Sequence, residues 1–208
     1  MYVLAEKEAE EFLERHGFPV SKRLVTRDVK ETLKYCHKIG FPVALKIVSP
    51  SIIHKSDVGG VFLDLRNDKE VVDAFNNIKK IKGYEAVMVE KYTSGKFLLL
   101  GLKKDAAFGH AIAVGWGGIY TEVLKDISFR ICPIDNKEAE KMLEELKFFK
   151  VLKGVRGEKP VNFRNIIDVI VKLSKLPLKY KAITELDINP MIADEKNVRI
   201  VDARIVFN

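Results

Sequence analysis

Lys46 stands in the middle of an apolar run, FPVALKIVS at 41–49, and His54 opens the string HKSDVGGV at 54–61 soon after it. A lysine in an apolar strand is costly to bury unless its ammonium meets an anion, and paired glycines let main-chain N–H groups approach phosphate oxygens closely. Lys46, Lys55, Gly59 and Gly60 therefore read as a phosphate cradle, with a lysine snorkelling beside a glycine turn as the plain alternative. The G-x-x-x-x-G-K-[ST] spacing of a Walker A loop is absent. A neutral imidazole is a competent nucleophile towards phosphorus, and an ordinary pKa of about 6.5 leaves most of His54 neutral at cellular pH. A structural or phosphate-donating histidine is the alternative there. His16, His37 and His110 lie outside comparable strings and read as structural.

Two further strings carry charge in an order that suits the same chemistry. In ELDINP (185–190), strand alternation puts Glu185, Asp187 and Asn189 on one face, and Asp202 in VDAR (201–204) can approach it from a neighbouring strand. Clustered hard oxygens of this kind suit Mg²⁺, which keeps several waters and bridges phosphates; carboxylates paired with basic neighbours such as Arg204 are the alternative. GWGGIYTEVLKDISFR (115–130) sets Glu122, Asp126 and Arg130 behind a glycine pair, as a polar rim or an ordinary surface hairpin. An arginine at such a rim can stabilise an equatorial phosphoryl oxygen in the transition state.

The elements that must position these residues follow from periodicity. Residues 5–16 place Ala5, Ala9, Phe12 and Leu13 on one helical face before Gly17 and Pro19 stop it. Asp28 with Glu31 has capping-box spacing for a second helix that Gly40 ends. Strands are expected at 41–49, 60–65 and 85–90 around a helix at 68–81, then at FLLLGLKKD, HAIAVGWGG and SFRICPI. Asp135 and Glu138 cap a helix bearing Ala139, Met142, Leu143 and Leu146. A further helix covers 162–175, and AITELDI and VRIVDARI close the chain as two strands. This order predicts an α+β protein with a smaller N-terminal lobe (18–90) and a larger, antiparallel C-terminal lobe (91–208), packed around a cleft.

Composition narrows the classes. The 208 residues are 47% apolar, which excludes disorder, and no stretch approaches the ~20 apolar residues of a membrane span. The acidic turn of MYVLAEKEAEEF argues against a signal peptide and for a cytosolic protein. The net charge of +7 comes from lysines scattered among glutamates, so a solvated surface is expected and not a nucleic-acid stripe. Cys36 and Cys132 lack the neighbours of a zinc site and read as buried thiols. A charged fraction of 31% with four methionines fits a heat-adapted organism.

PVALKIVSPSIIHKSDVGGV, GWGGIYTEVLKDISFRICP and ELDINP, in this order, resemble the ATP-grasp (beta) subunit of ADP-forming acyl-CoA synthetases, relatives of the succinyl-CoA synthetase beta chain. The resemblance runs from about residue 5 to the end. It implies an ATP-grasp fold, two α/β lobes with the nucleotide site in the cleft between them. It also implies an enzyme active only with a CoA-binding alpha subunit, in a heterotetramer, that interconverts acyl-CoA, phosphate and ADP with acid, CoA and ATP. On that likeness Lys46 matches the phosphate-binding lysine, His54 a phosphoryl carrier, Asn189 and Asp202 the Mg²⁺ ligands, and Glu122 a residue of the phosphohistidine docking region. Val89, Glu90 and Lys91 match the hinge that bonds adenine through its backbone. The string departs from the family at Phe97, where a glutamate that contacts the ribose hydroxyls is usual; losing one buried acceptor pair costs about 1–3 kcal/mol. An ATP-grasp carboxylate-amine ligase and a degenerate nucleotide-sensing subunit are the competing readings, and Phe97 favours the second of these.

Overall fold

The computed structural model describes residues 1–52, 55–118 and 121–208. In chain order the elements are β1 (Tyr2–Leu4), α1 (Glu6–Arg15), β2 (Arg23–Thr26), α2 (Val29–Ile39), β3 (Val43–Val48), β4 (Val61–Leu65), α3 (Asp68–Lys79) and β5 (Ala86–Lys91). They continue with β6 (Lys96–Asp105), β7 (Gly109–Trp116), α4 (Thr121–Leu124), β8 (Ile127–Ile131), α5 (Asn136–Glu144), α6 (Phe149–Leu152), α7 (Phe163–Lys179), β9 (Ile183–Ala193), β10 (Val198–Ile200) and β11 (Ala203–Phe207). Two compact units result: Ser21–Thr93, and Met1–Val20 together with Ser94–Asn208. The first helix thus belongs with the C-terminal half.

The smaller unit is a four-stranded sheet in the order β2-β5-β3-β4, antiparallel throughout. Its helices start where short polar side chains accept the first free amides: Asp28 from the Glu31 N–H at 2.8 Å and Asn67 from the Glu70 N–H at 3.0 Å. Gly40 ends α2 at φ 77°, a conformation that glycine adopts without strain. Val43, Leu45 and Ile47 of β3 and Val87 and Val89 of β5 pack with Cys36, Val71, Phe75 and Ile78 of the two helices. Because strand side chains alternate, Ala44 and Lys46 of β3 and Ala86, Met88 and Glu90 of β5 lie on the face turned away from α2 and α3.

The larger unit carries a sheet in the order β1-β11-β9-β6-β7-β8, with β10 on β9. Helices α1, α5 and α7 pack with it around Leu13, Leu98, Leu100, Ile112, Met142, Leu143, Ile166, Ile170, Leu186 and Ile188. Asp135 caps α5 by accepting the Glu138 N–H at 2.9 Å. Helix α7 outruns the expected 162–175, continuing through Pro177 with Leu176 and Pro177 buried. The short strands β1 and β2 carry too few alternating apolar residues to show in the sequence.

VRIVDARI, expected as one strand, is two. Val198–Ile200 pairs with Met191–Ala193 and Ala203 pairs with Ile188 in the same register, so the pairing with β9 is interrupted, not shifted, at Val201-Asp202. Cys36 is buried and Cys132 only partly so; loss of water pushes both thiols up to about 11. His16 and His110 bond main-chain oxygens of Phe12 and Ile183, and His37 pairs with Asp68. Among the described residues no helix is long and apolar enough to cross a membrane.

Candidate functional site

In the smaller unit, register decides which side chains meet. Lys46 lies opposite Met88 and Ala44 opposite Glu90, so Lys46 and Glu90 are diagonal neighbours on one sheet face. The Lys46 ammonium lies 2.6 Å from Glu90 Oε1, with side-chain exposures of 8% and 3%. The anion that a buried Lys46 required is therefore supplied by the protein itself. Arg23 stands directly opposite Glu90 on β2. Glu90 was expected to act through its backbone, and its carboxylate was missed. The signal was present in EAVMVE, a second charged residue at a buried strand end, complementary in sign to the first.

The glycine pair behaves differently from the cradle expected. The Gly59 N–H donates to Ser56 O at 3.1 Å and the Gly60 N–H to Lys55 O at 2.8 Å, so both amides are used inside the turn. Glycine is required at 60 for another reason: a Cβ there would lie 2.5 Å from a methyl of Ile47 and 3.0 Å from Lys55 O. The turn is thereby seated against β3, next to Lys46. His54 lies outside the described residues.

Val89 and Glu90 are laddered on both sides, to Leu24 and Arg23 of β2 and to Leu45 and Ala44 of β3. Lys91 pairs with Val43 alone and lies past the first residue of β2. Of these three residues, Lys91 is the one whose main chain reaches a strand-free margin. Its side chain turns back to cap α2, donating to Gly40 O at 2.9 Å and Phe41 O at 2.7 Å.

In the larger unit the continuous register of β9 with β10 and β11 sets Asn189 opposite Asp202, and the Asn189 N–H donates to Asp202 O at 3.2 Å. The Asn189 side-chain oxygen accepts the Gly118 N–H at 2.7 Å, which orients the amide. Gly117 and Gly118 must be glycines here. A Cβ on Gly117 would strike the main chain of Leu98 at 2.5 Å, and one on Gly118 the Phe97 ring at 2.9 Å. Phe97, 36% exposed, thus covers the glycine turn beside Asn189. The Thr121 hydroxyl ties the same turn to Trp116 O and Gly118 O at 2.9 and 2.7 Å. Glu122 lies in α4; its side chain is outside the described ones. An amide and a carboxylate oxygen are hard donors that suit Mg²⁺ with retained waters.

Arg130 and Asp126 are engaged elsewhere. The Arg130 guanidinium donates to Glu138 at 3.0 Å, to Ser128 at 3.3 Å and to both oxygens of Glu145, and these carboxylates hold its proton more firmly than usual. Asp126 accepts the Lys147 and Phe148 N–H groups, both at 3.0 Å, and so anchors the approach to α6.

Asp187 faces Arg204 on β11 and Gly101 on β6. Asp187 is itself exposed, but the sheet around it displaces part of its water and raises its carboxyl above the ordinary 3.8, Arg204 opposing and Glu185 adding to the shift. Between 3.8 and the raised value, the folded chain keeps a proton that the unfolded chain has released. Stability therefore falls as pH rises through that window, and the penalty is complete above it. Asp187→Asn is expected to melt above the parent at about pH 7, the gap closing as the pH is lowered toward about 4. Melting curves with a gap independent of pH would contradict this.

The architecture of the two sheets and their helices is that of the ATP-grasp class. The ATP-grasp domain family matches residues 1–207, and the chain belongs to that family. Within it, the chain is 42% identical over 212 residues to the beta subunit of ADP-forming acetate–CoA ligase I of Pyrococcus furiosus, covering 98% of this chain and 91% of that one. It is 44% identical to the ADP-forming 4-hydroxybutyrate–CoA ligase of Nitrosopumilus maritimus, covering 97% of this chain but 30% of that longer protein. Two solved structures of the dinucleotide-forming acetyl-coenzyme A synthetase 1 of Ca. Korarchaeum cryptofilum superpose closely. The complex with coenzyme A, Ca-AMPCP and HgCl⁺ gives a TM-score of 0.90 at 37% identity, covering 99% of this chain and 93% of that one. The complex with coenzyme A and Mg-AMPPCP, its phosphohistidine segment pointing towards the nucleotide binding site, gives 0.85 at 38% identity over the same shares.

Proposed function

We propose that this chain is the nucleotide-binding subunit of an ADP-forming acyl-CoA ligase, passing a phosphoryl group between phosphohistidine and ADP/ATP. The observation that carries this reading is the buried Lys46 ammonium, on the face of β3 turned away from α2 and α3, in a chain of this family. Lys46 and Lys55 bind phosphate oxygens, and His54 serves as the phosphoryl carrier. Lys91 offers its main chain to the base, at the margin beyond the ladder that occupies Val89 and Glu90. Asn189 and Asp202 hold the Mg²⁺. When bound, the metal neutralises phosphate charge and fixes the oxygens for in-line transfer.

Glu122 belongs to the region where the partner's phosphohistidine docks. Arg130 serves an equatorial phosphoryl oxygen only after exchanging Glu138 and Glu145 for it. Residues 1–208 form a single ATP-grasp domain that requires a CoA-binding alpha subunit, in a heterotetramer, in the cytoplasm; nucleic acid and membrane are not its partners. Isothermal calorimetry of the chain with Mg-ADP tests this: a Kd of about 10⁻⁵ M or tighter is expected. No heat at millimolar ADP overturns it in favour of a degenerate regulatory subunit. The half-exposed Phe97 over the Gly118 turn is the observation that keeps that second reading in play.

A further inference from the structure

The Lys46–Glu90 pair is a poor device for stability. Breaking even requires that every remaining lone pair be satisfied, and buried Glu90 Oε2 has no hydrogen-bond partner among the described residues. Apolar side chains of similar volume would fill this sheet face at lower cost, since Ala44, Ala86 and Met88 around the pair are already buried there. What the pair does well is aim. A lysine ammonium ends a flexible four-carbon stem, and a carboxylate fixed on the adjacent strand removes much of that rotamer freedom before any ligand arrives.

We propose that Glu90 is a positioning residue: its carboxylate, 2.6 Å from Lys46 across β3 and β5, sets where the ammonium stands relative to the transferred phosphoryl group. Glu90 itself touches no phosphate. Held by a strand on each side, it moves only with the sheet, so the ammonium matches one phosphoryl position and does not follow the ground state. The inference rests on the reading of Lys46 as a phosphate-binding lysine in a phosphoryl-transfer subunit.

The test is steady-state kinetics of the full chain with its CoA-binding partner, in the ATP-forming direction with ADP varied. Glu90→Gln keeps shape and loses charge. Its kcat is expected to fall about tenfold or more, with KM for ADP changed less than about twofold, because misplacement costs the transition state more than the bound nucleotide. Should that variant fail to fold, Glu90→Asp carries the test: it keeps the charge but draws the ammonium back by one methylene, and the same loss of kcat at unchanged KM is expected. A kcat at the parental level in the folded variant, or a rise in KM exceeding the fall in kcat, overturns the inference. Normal Glu90→Gln beside an impaired Lys46→Met sinks this inference alone. An inactive parent, or an unimpaired Lys46→Met, removes the functional reading and this inference with it.

Discussion

Lys46→Met is expected to lower the unfolding free energy by about 3–5 kcal/mol, because it leaves the Glu90 carboxylate buried and without its cation. The two side chains are 8% and 3% exposed, so water does little to screen the loss. Methionine keeps most of the lysine's length and apolar stem, which confines the change to the charge. Urea denaturation followed by circular dichroism reads the effect as a shift in midpoint at unchanged slope. A midpoint equal to the parent's would mean that the pair is open to solvent and worth little.

The double variant Lys46→Met/Glu90→Leu separates stability from chemistry. With both charges gone the sheet face is apolar, and stability is expected to return to within about 1 kcal/mol of the parent, or to exceed it. Phosphoryl transfer is not expected to return with it. Losing one preorganised donor at a developing charge costs about 10²–10³ in kcat, whatever the fold regains. A folded, stable and inactive double variant is the result that assigns the Lys46–Glu90 pair to function.

What the sequence made legible was local. The caps at Asp28 and Asp135, the stop at Gly40 and the apolar alternation of β3 and β5 each depend on a few adjacent residues, and each appears as expected. The expectations that changed depend on which strand lies beside which. Gly59-Gly60 was legible as a turn, but not the closure of both amides inside it. Val89 and Glu90 were legible as strand, but their central place in the order β2-β5-β3-β4, which occupies their main chain, was not. VRIVDARI reads as one apolar run, although its alternation changes phase between Ile200 and Val201; the interruption at Val201-Asp202 lies opposite Asn189-Pro190 of β9. Arg130 shows the same limit from the other side: both carboxylates that hold it, Glu138 and Glu145, come from the α5 segment, which the sequence placed as a helix without indicating what it faces.

The carrier assigned to His54 makes the second large prediction. In the proposed sequence an imidazole nitrogen of His54 attacks phosphorus as the partner's phosphohistidine N–P bond breaks; an oxygen of the ADP β-phosphate then attacks the same phosphorus, and the His54 N–P bond breaks in turn. His54→Ala removes the only nitrogen nucleophile in HKSDVGGV whose ordinary pKa leaves it unprotonated at neutral pH. With the partner and labelled acyl phosphate, the variant is expected to take up no acid-labile phosphate on this chain, and turnover to fall by about 10³-fold or more. A histidine that only donates a hydrogen bond to phosphate predicts something smaller: a loss of about ten- to a hundredfold, with label passing directly from partner to ADP. Full turnover by His54→Ala would refute both roles. Loss of label on this chain with turnover about ten- to a hundredfold below the parent would leave His54 as a phosphate contact, and the transfer as a single step from the partner's phosphohistidine to the nucleotide that Lys46 holds.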